Sequence, residues 1–306
     1  MGVPFIGAED LARLLPMGAA IDALEAAFGG GRLPEAPLRS SVDTSAGSLY
    51  LMPSHGPQGV GVKLVTLTPS NPERGAPFIH ATYVLFDAET QAPRALFDGA
   101  AITALRTGAV SGLATRYLAR DDSRRLVIFG AGVQARSHLE AMRAVRPIEE
   151  LVVISRTPGR VEALVREAVA LGLDARVGEP SDAASADLVC TCTTSPEPVL
   201  GGSLLGPGAH VNAVGAYTHE MREVDTEGVR RAKVVVETRE AAMAEAGDLL
   251  IAIGEGVIGP DHIVADLAEI VRGASVRTSD QDVTLFKSVG VAFEDLVVAG
   301  AAVDRR

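Results

Sequence analysis

The sequence predicts an α/β protein, with a doubly wound parallel sheet in its second half and a smaller α+β domain in its first. Three observations carry this expectation. Strand candidates alternate with helical stretches after residue 123, β-rich segments follow one another between residues 38 and 97, and a polar run, Asp121-Asp122-Ser123, separates the two patterns. Alternating strands and helices build parallel sheets, whereas consecutive strands build antiparallel ones.

Taken in order, residues 9 to 29 read as one or two amphipathic helices, interrupted by Pro16 and closed by Gly29-Gly30-Gly31. The β-rich segments are Leu38 to Asp43, Gly47 to Met52, Gly59 to Thr66, His80 to Asp87 and Arg94 to Phe97. Thr68 to Pro77 has the composition of an exposed loop. Asp98 is the expected N-cap of a long helix from Gly99 to about Ala119, whose small residues Ala104, Gly108, Ala109, Gly112 and Ala114 allow close backbone approach. Then come strand candidates Leu126–Phe129, Leu151–Ile154, Ala175–Val177, Asp187–Cys190, His210–Val214 and Lys233–Glu237, with helices at Gly159 to Leu171 and Arg239 to Met243. Val283 to about Val303 reads as a single C-terminal helix through Phe286, Val289, Phe293 and Val297. The expected domains are residues 1–121, completed by residues 283–306, and residues 122–282.

Composition narrows the function classes. With 47% hydrophobic residues in 306, the chain can bury a sizeable core. Its formal charge of -11 argues against a nucleic-acid partner and against an anionic membrane surface. The longest apolar tracts, such as Leu296 to Val303, are too short to span a bilayer, and Glu9 and Asp10 do not suit a signal peptide. Cys190 and Cys192 would point to opposite faces of a strand and read as reduced thiols. A cytoplasmic protein is expected. The six histidines show no ligand spacing, so no metal site is expected, and no Gly-x-Ser-x-Gly elbow suggests a hydrolase.

The most informative stretch is Leu126-Val127-Ile128-Phe129 followed by Gly130-Ala131-Gly132-Val133-Gln134-Ala135. A buried strand running through Gly-x-Gly-x-x-Ala into a helix is the form of a dinucleotide-binding turn. Gly130 makes the tight turn, Gly132 lets the backbone approach a pyrophosphate, and Ala135 lets helix and strand pack closely. The free N–H groups at the helix start would hold the anion. Alone this signal is weak, but it follows the first strand of the alternating block, as a Rossmann-type fold requires. The second strand ends Ile154-Ser155-Arg156-Thr157, with Arg160 one turn on, and offers no carboxylate for a ribose hydroxyl. A guanidinium on a 2′-phosphate contributes about 1.5–3 kcal/mol, roughly one to two decades of preference. NADP(H) is therefore the expected cofactor and NAD(H) the alternative. A solvated polar loop is the plain reading of the same residues.

Several segments together resemble the ornithine cyclodeaminase/mu-crystallin family. They are Gly61-Val62-Lys63-Leu64-Val65-Thr66, Leu85-Phe86-Asp87, Ile102-Thr103-Ala104-Leu105-Arg106-Thr107, the glycine turn, Asn212-Ala213-Val214-Gly215 and Phe286-Lys287-Ser288-Val289-Gly290, in the expected order from about Pro37 to Val298. The resemblance implies a nucleotide-binding domain plus a substrate domain that dimerises through β-structure, and hence a homodimer. It also implies that Lys63 and Arg106, with Arg39, bind a substrate carboxylate. Burial of either cation without an anion would be costly, and internal salt bridges to Asp87 or Asp98 are the plain alternative. By motif position, Ala131, Val133 and Gln134 would touch the cofactor phosphates, and Ser155, Arg156, Thr157 and Arg160 would surround the 2′-phosphate. Thr193, Thr194, Val214 and Ser288 would lie around the nicotinamide and its ribose, although strand-end or capping roles suit the threonines too.

One departure decides among the family's activities. Where ornithine cyclodeaminases carry an acting aspartate, and a lysine four residues on, this sequence has Tyr217 and Met221. Loss of a general base typically removes about 10²–10⁴-fold in rate. The expected activity is thus NADPH-dependent reduction of a cyclic imino acid, such as Δ1-pyrroline-2-carboxylate or Δ1-piperideine-2-carboxylate, to L-proline or L-pipecolate. Tyr217 would be a substrate contact or a packed aromatic. The alternatives are an alanine-dehydrogenase type of amino-acid oxidoreductase, an ornithine cyclodeaminase using another group, and a non-catalytic NADP-dependent small-ligand binder.

Overall fold

The computed structural model describes residues 2–306; Met1, with which the first expected domain begins, lies outside them. The chain divides into two compact units, one running to Val110 and resumed at Val291–Arg306, the other Ser111–Gly290.

In the first unit, strands β1 (Phe5–Ile6), β2 (Ser40–Thr44), β3 (Gly47–Gly56), β4 (Gly59–Leu67), β5 (Ile79–Phe86) and β6 (Pro93–Asp98) form one sheet in the order β1-β6-β5-β4-β3-β2. The last five are an antiparallel meander, and β1, which sequence patterning did not reveal, adds parallel to β6. Helices α1 (Ala8–Leu14) and α2 (Met17–Gly29) flank Pro16, which sits at the N-cap of α2 as its missing N–H allows. Helix α3 (Gly99–Leu118) starts on the expected cap: the Asp98 carboxylate accepts from the N–H groups of Ala100 and Ala101 at 2.9 and 3.1 Å.

Alternation along β4 puts Gly59, Gly61 and Lys63 on the buried face. Register then aligns Met52, Lys63, Tyr83 and Phe97 as one buried row across β3, β4, β5 and β6.

The second unit holds β7 (Arg125–Phe129), β8 (Glu150–Ile154), β9 (Asp174–Val177), β10 (Leu188–Thr191), β11 (His210–Ala213), β12 (Lys233–Val236), β13 (Ile263–Asp266) and β14 (Thr284–Lys287). They form a parallel sheet ordered β13-β12-β14-β11-β10-β7-β8-β9. Helices α4 (Val133–Val145), α5 (Pro158–Ala170), α6 (Thr226–Arg231), α7 (Arg239–Glu245), α8 (Gly247–Gly254) and α9 (Leu267–Val271) connect them. From β7 the order runs to β8 and β9 on one side and to β10 and β11 on the other. This reversal beside the first strand is the topological switch point of a Rossmann-type sheet.

The single C-terminal helix expected from Val283 is corrected. Thr284 to Lys287 is strand β14, inserted between β11 and β12, and only Ala292–Val303 is helical, as α10. All four β14 residues are buried, and a short segment flanked by sheet strands gains a full ladder that a helix turn could not offer. Helix α10 belongs to the first unit, where it packs on α2, β3, β4 and β5.

The division inside α3 precedes the polar run at Asp121 for a local reason. Its later residues bond within the second unit: Ser111 Oγ lies 2.9 Å from His138 Nε2, and Asn212 Nδ2 donates to Thr115 Oγ1 at 2.9 Å. Arg146 donates to the end carbonyls of Thr115, Arg116 and Ala119, capping the helix with a cation.

Candidate active site

Lys63 stands at the centre of the first unit's sheet with 2% exposure, and Asp295 in the first turn of α10 has none. The ammonium donates to both carboxylate oxygens of Asp295 at 3.0 and 2.9 Å. Beside it, Arg106 Nη1 donates to Glu294 Oε2 at 3.0 Å, and its Nε lies 3.5 Å from Asp295 Oδ1. Two cations and two carboxylates are therefore packed together in a buried cluster. Burial lowers the Lys63 pKa to about 8; Asp295 offsets part of this, while Arg106 and Arg39 push it further down. Arg39 is half-buried just ahead of β2.

The Tyr83 hydroxyl, cross-strand from Lys63, is buried with no hydrogen-bond partner among the described residues, and its pKa is raised by burial and then by Asp295. It fits only because residue 61 is glycine: a Cβ there would come 1.8 Å from the phenol oxygen.

The partners are not those the sequence suggested. Asp87 is used locally, accepting from the N–H groups of Glu89 and Thr90 and from the Thr90 hydroxyl, and Asp98 caps α3. Glu294 and Asp295 were missed. Their signal was two adjacent carboxylates inside the apolar run Ala292-Phe293 to Leu296-Val297-Val298, where charge is too costly without a buried cation.

In the second unit, Gly130 has φ +113°, and a Cβ there would meet the Cys192 carbonyl oxygen at 2.6 Å. The turn thus crosses the end of β10 at the switch point. Gly132 differs: its φ is -91°, and a Cβ would meet nothing within 4 Å. Its glycine identity is not demanded by the protein's own packing, which leaves open space where a pyrophosphate would approach. As N-cap of α4 it supplies no side-chain cap, so the helix start keeps N–H groups for an anion. Ala131 and Ala135 are buried, Gln134 is half-buried and Val133 is exposed. At the end of β8, Ser155, Arg156, Thr157 and Arg160 are all exposed, and neither arginine has an ion pair with any described residue. These features fit a dinucleotide.

Thr193 and Ser288 are committed to buried carboxylates that sequence reading also missed. Glu223 accepts from the Thr193 hydroxyl and N–H at 2.7 and 2.6 Å, from Thr191 Oγ1 and from Gly215 N–H. Glu237 accepts from Ser288 Oγ at 2.6 Å and from the N–H groups of Val289 and Gly290. Asp248 receives the N–H groups of Glu223 and Val224 and pairs with Lys287 at 2.8 Å, while Lys287 also donates to the carbonyls of Ala213 and Ala216. These groups pin both ends of the segment carrying the half-buried Tyr217. Val214 is buried at the end of β11 and Thr194 is exposed. Among the described residues no cluster of His, Cys, Asp or Glu could hold a metal, and no helix is long and apolar enough to cross a membrane.

Fold and site together define a class: two-unit α/β proteins with a Rossmann-type unit and a separate unit holding buried cations. Residues 5–306 match the ornithine cyclodeaminase/mu-crystallin family, and the chain belongs to it. The Δ1-pyrroline-2-carboxylate reductase of Bacillus cereus is 39% identical over 272 residues, covering 86% of this chain and 83% of its own. Among solved structures, the Thermococcus litoralis Δ1-pyrroline-2-carboxylate reductase in complex with NADH and L-proline matches with a TM-score of 0.93 at 39% identity, covering 99% of this chain and 97% of that one. An archaeal alanine dehydrogenase dimer with bound NAD also gives 0.93, at 33% identity over 100% and 96% of the two chains.

Proposed function

We propose that the protein is a nicotinamide-dependent reductase of cyclic imino acids, acting on Δ1-pyrroline-2-carboxylate or its six-membered homologue and forming L-proline or L-pipecolate. The observation that carries this reading is the buried Lys63. Asp295 holds one side of its ammonium, and of three N–H donors at least one is left for a ligand carboxylate. Lys63 and Arg106, with Arg39, bind and orient that carboxylate. When bound, the reduced cofactor supplies the hydride that saturates the C=N bond. A protonated imine already carries positive charge, so the protein's task is orientation and exclusion of water rather than strong acid catalysis. Tyr217 in place of an aspartate argues against cyclodeamination. The similarity to a pyrroline-carboxylate reductase that holds L-proline supports the same substrate class. The reading includes a homodimer, as in the archaeal alanine dehydrogenase, and the fully exposed edge strand β2 suits it.

The test follows nicotinamide absorbance with Δ1-pyrroline-2-carboxylate, Δ1-piperideine-2-carboxylate, and pyruvate plus ammonia, and ammonia release from ornithine. Turnover of the cyclic imines is expected. Turnover confined to ornithine would sink the reading, whereas pyruvate plus ammonia as the better substrate would favour an alanine dehydrogenase, the second reading that the 33% identity supports.

We further propose that NADP(H) is preferred over NAD(H), because Arg156 and Arg160 stand exposed without ion pairs at the end of β8. Arg156→Ala is expected to lower the NADPH/NADH ratio of kcat/KM by roughly 10- to 100-fold. An unchanged ratio would remove this assignment.

A further inference from the structure

We infer that Asp295 is the positioning residue of the carboxylate clamp: gripping Lys63 from beneath, it keeps the ammonium charged and leaves it turned to the ligand. The inference takes its substrate from the reductase reading, but its statement about Lys63 stands apart from that reading.

The geometry supports it from several sides. Asp295 is wholly buried and reaches Lys63 from α10 with both oxygens. The other charged groups acting on Lys63 are Arg106 from α3 and Arg39 from ahead of β2, and both repel its proton. Its cross-strand neighbours are Met52 on β3 and Tyr83 on β5, neither of which offers a negative charge at neutral pH. Glu294 is engaged by Arg106 Nη1. Removing the Asp295 charge therefore leaves a buried lysine flanked by two cations, with Glu294 already bound by one of them, and such a lysine gives up its proton more readily. A neutral amine cannot hold a carboxylate by charge. Asp295 acts through Lys63 and is not itself required to touch the substrate.

The chain makes this measurable, since it contains three lysines, Lys63, Lys233 and Lys287. Protein carrying ¹³C at the lysine Cε gives few signals, and Lys63→Arg assigns the one of interest. In the wild type the Lys63 signal should titrate near 8, and KM for Δ1-pyrroline-2-carboxylate should stay level below that pH and climb above it. In Asp295→Asn, an isosteric change, the lysine midpoint should fall by more than about one unit. KM at pH 7.5 should then rise about threefold or more, the gap closing towards pH 6. Lys63→Arg in the Asp295→Asn background should remove the pH dependence, because a guanidinium stays protonated. Asp295→Glu keeps the charge and should keep the midpoint, which maintains the test if the asparagine variant does not fold.

An unmoved Lys63 midpoint in Asp295→Asn overturns the inference. So does a kcat lowered equally at every pH with an unchanged KM profile, the mark of a purely structural residue, or a midpoint in Asp295→Glu as low as in the asparagine variant. If the midpoint falls in Asp295→Asn but no variant and no wild-type enzyme reduces the imino acid, the inference holds and the reductase reading is lost.

Discussion

Lys63→Met is expected to lower the unfolding free energy by about 3–5 kcal/mol, because it strands the wholly buried Asp295 carboxylate without its cation. It should also reduce kcat/KM roughly 10- to 100-fold, the equivalent of losing one charge-assisted contact to a substrate carboxylate. The double variant Lys63→Met/Asp295→Leu separates these effects. With both charges gone and the volume filled by apolar atoms, most of the stability should return or be exceeded, while Arg106 keeps its bond to Glu294. Activity should stay low. Denaturant unfolding and steady-state kinetics on both variants make the comparison. A double variant as unstable as the single one would mean that the loss does not come from a stranded Asp295 charge. Wild-type turnover in Lys63→Met would move the clamp elsewhere.

The pH dependence of stability has a definite sign. The Lys63 pKa is lowered on folding, from 10.5 to about 8. Between those values the unfolded chain binds the extra proton, so this residue's contribution to stability rises with pH. Below about 8 both states are protonated and the full cost of burying the charge is present; above 10.5 it is absent. At neutral pH, then, the charged form of Lys63 carries a burial cost that Asp295 offsets only in part. An apolar pair replacing both Lys63 and Asp295 would pack there more cheaply, and the observed charges are better explained by ligand binding than by stability.

Much of the scaffold was legible because it rests on local signals. The alternation along Gly59 to Thr66, the run Leu126–Phe129 and the cap at Asp98 each depend on neighbouring residues, and the elements they predicted appear within a residue or two. Lys63 and Arg106 were singled out by the family resemblance, with which their setting, as charges within apolar or small-residue stretches, agreed. Their partners could not. Asp295 lies 232 residues from Lys63, and α10 reaches the first unit only after the chain has completed the entire parallel sheet. Strand β14 was illegible on different grounds: Thr284-Leu285-Phe286-Lys287 is too short for periodicity to separate strand from helix, and only its position between β11 and β12 settles it. The carboxylates Glu223, Glu237 and Asp248 were hidden likewise, since their role is to collect N–H and O–H groups from loops brought together by the sheet.

The glycine turn permits a sharper test than its sequence suggested, because its two glycines are required for different reasons. Gly130→Ala should destabilise the protein by about 2–4 kcal/mol, combining a residue forced to a positive φ with a Cβ driven against the Cys192 backbone. Gly132→Ala should leave stability within about 0.5 kcal/mol, because φ is negative and the added methyl meets no protein atom within 4 Å. It should nevertheless weaken the cofactor at least about tenfold, equivalent to about 1.4 kcal/mol, by standing where the pyrophosphate must approach. Thermal unfolding with and without NADPH reads both quantities. Gly132→Ala should match the wild type without nucleotide and lose most of the nucleotide-induced rise, whereas Gly130→Ala should start low. Equal destabilisation by the two alanines would mean that Gly132 is needed for packing after all. An undiminished nucleotide shift in Gly132→Ala would mean that the phosphates lie away from this turn, and with that the assignment of Ala131, Val133 and Gln134 to the cofactor would fall too.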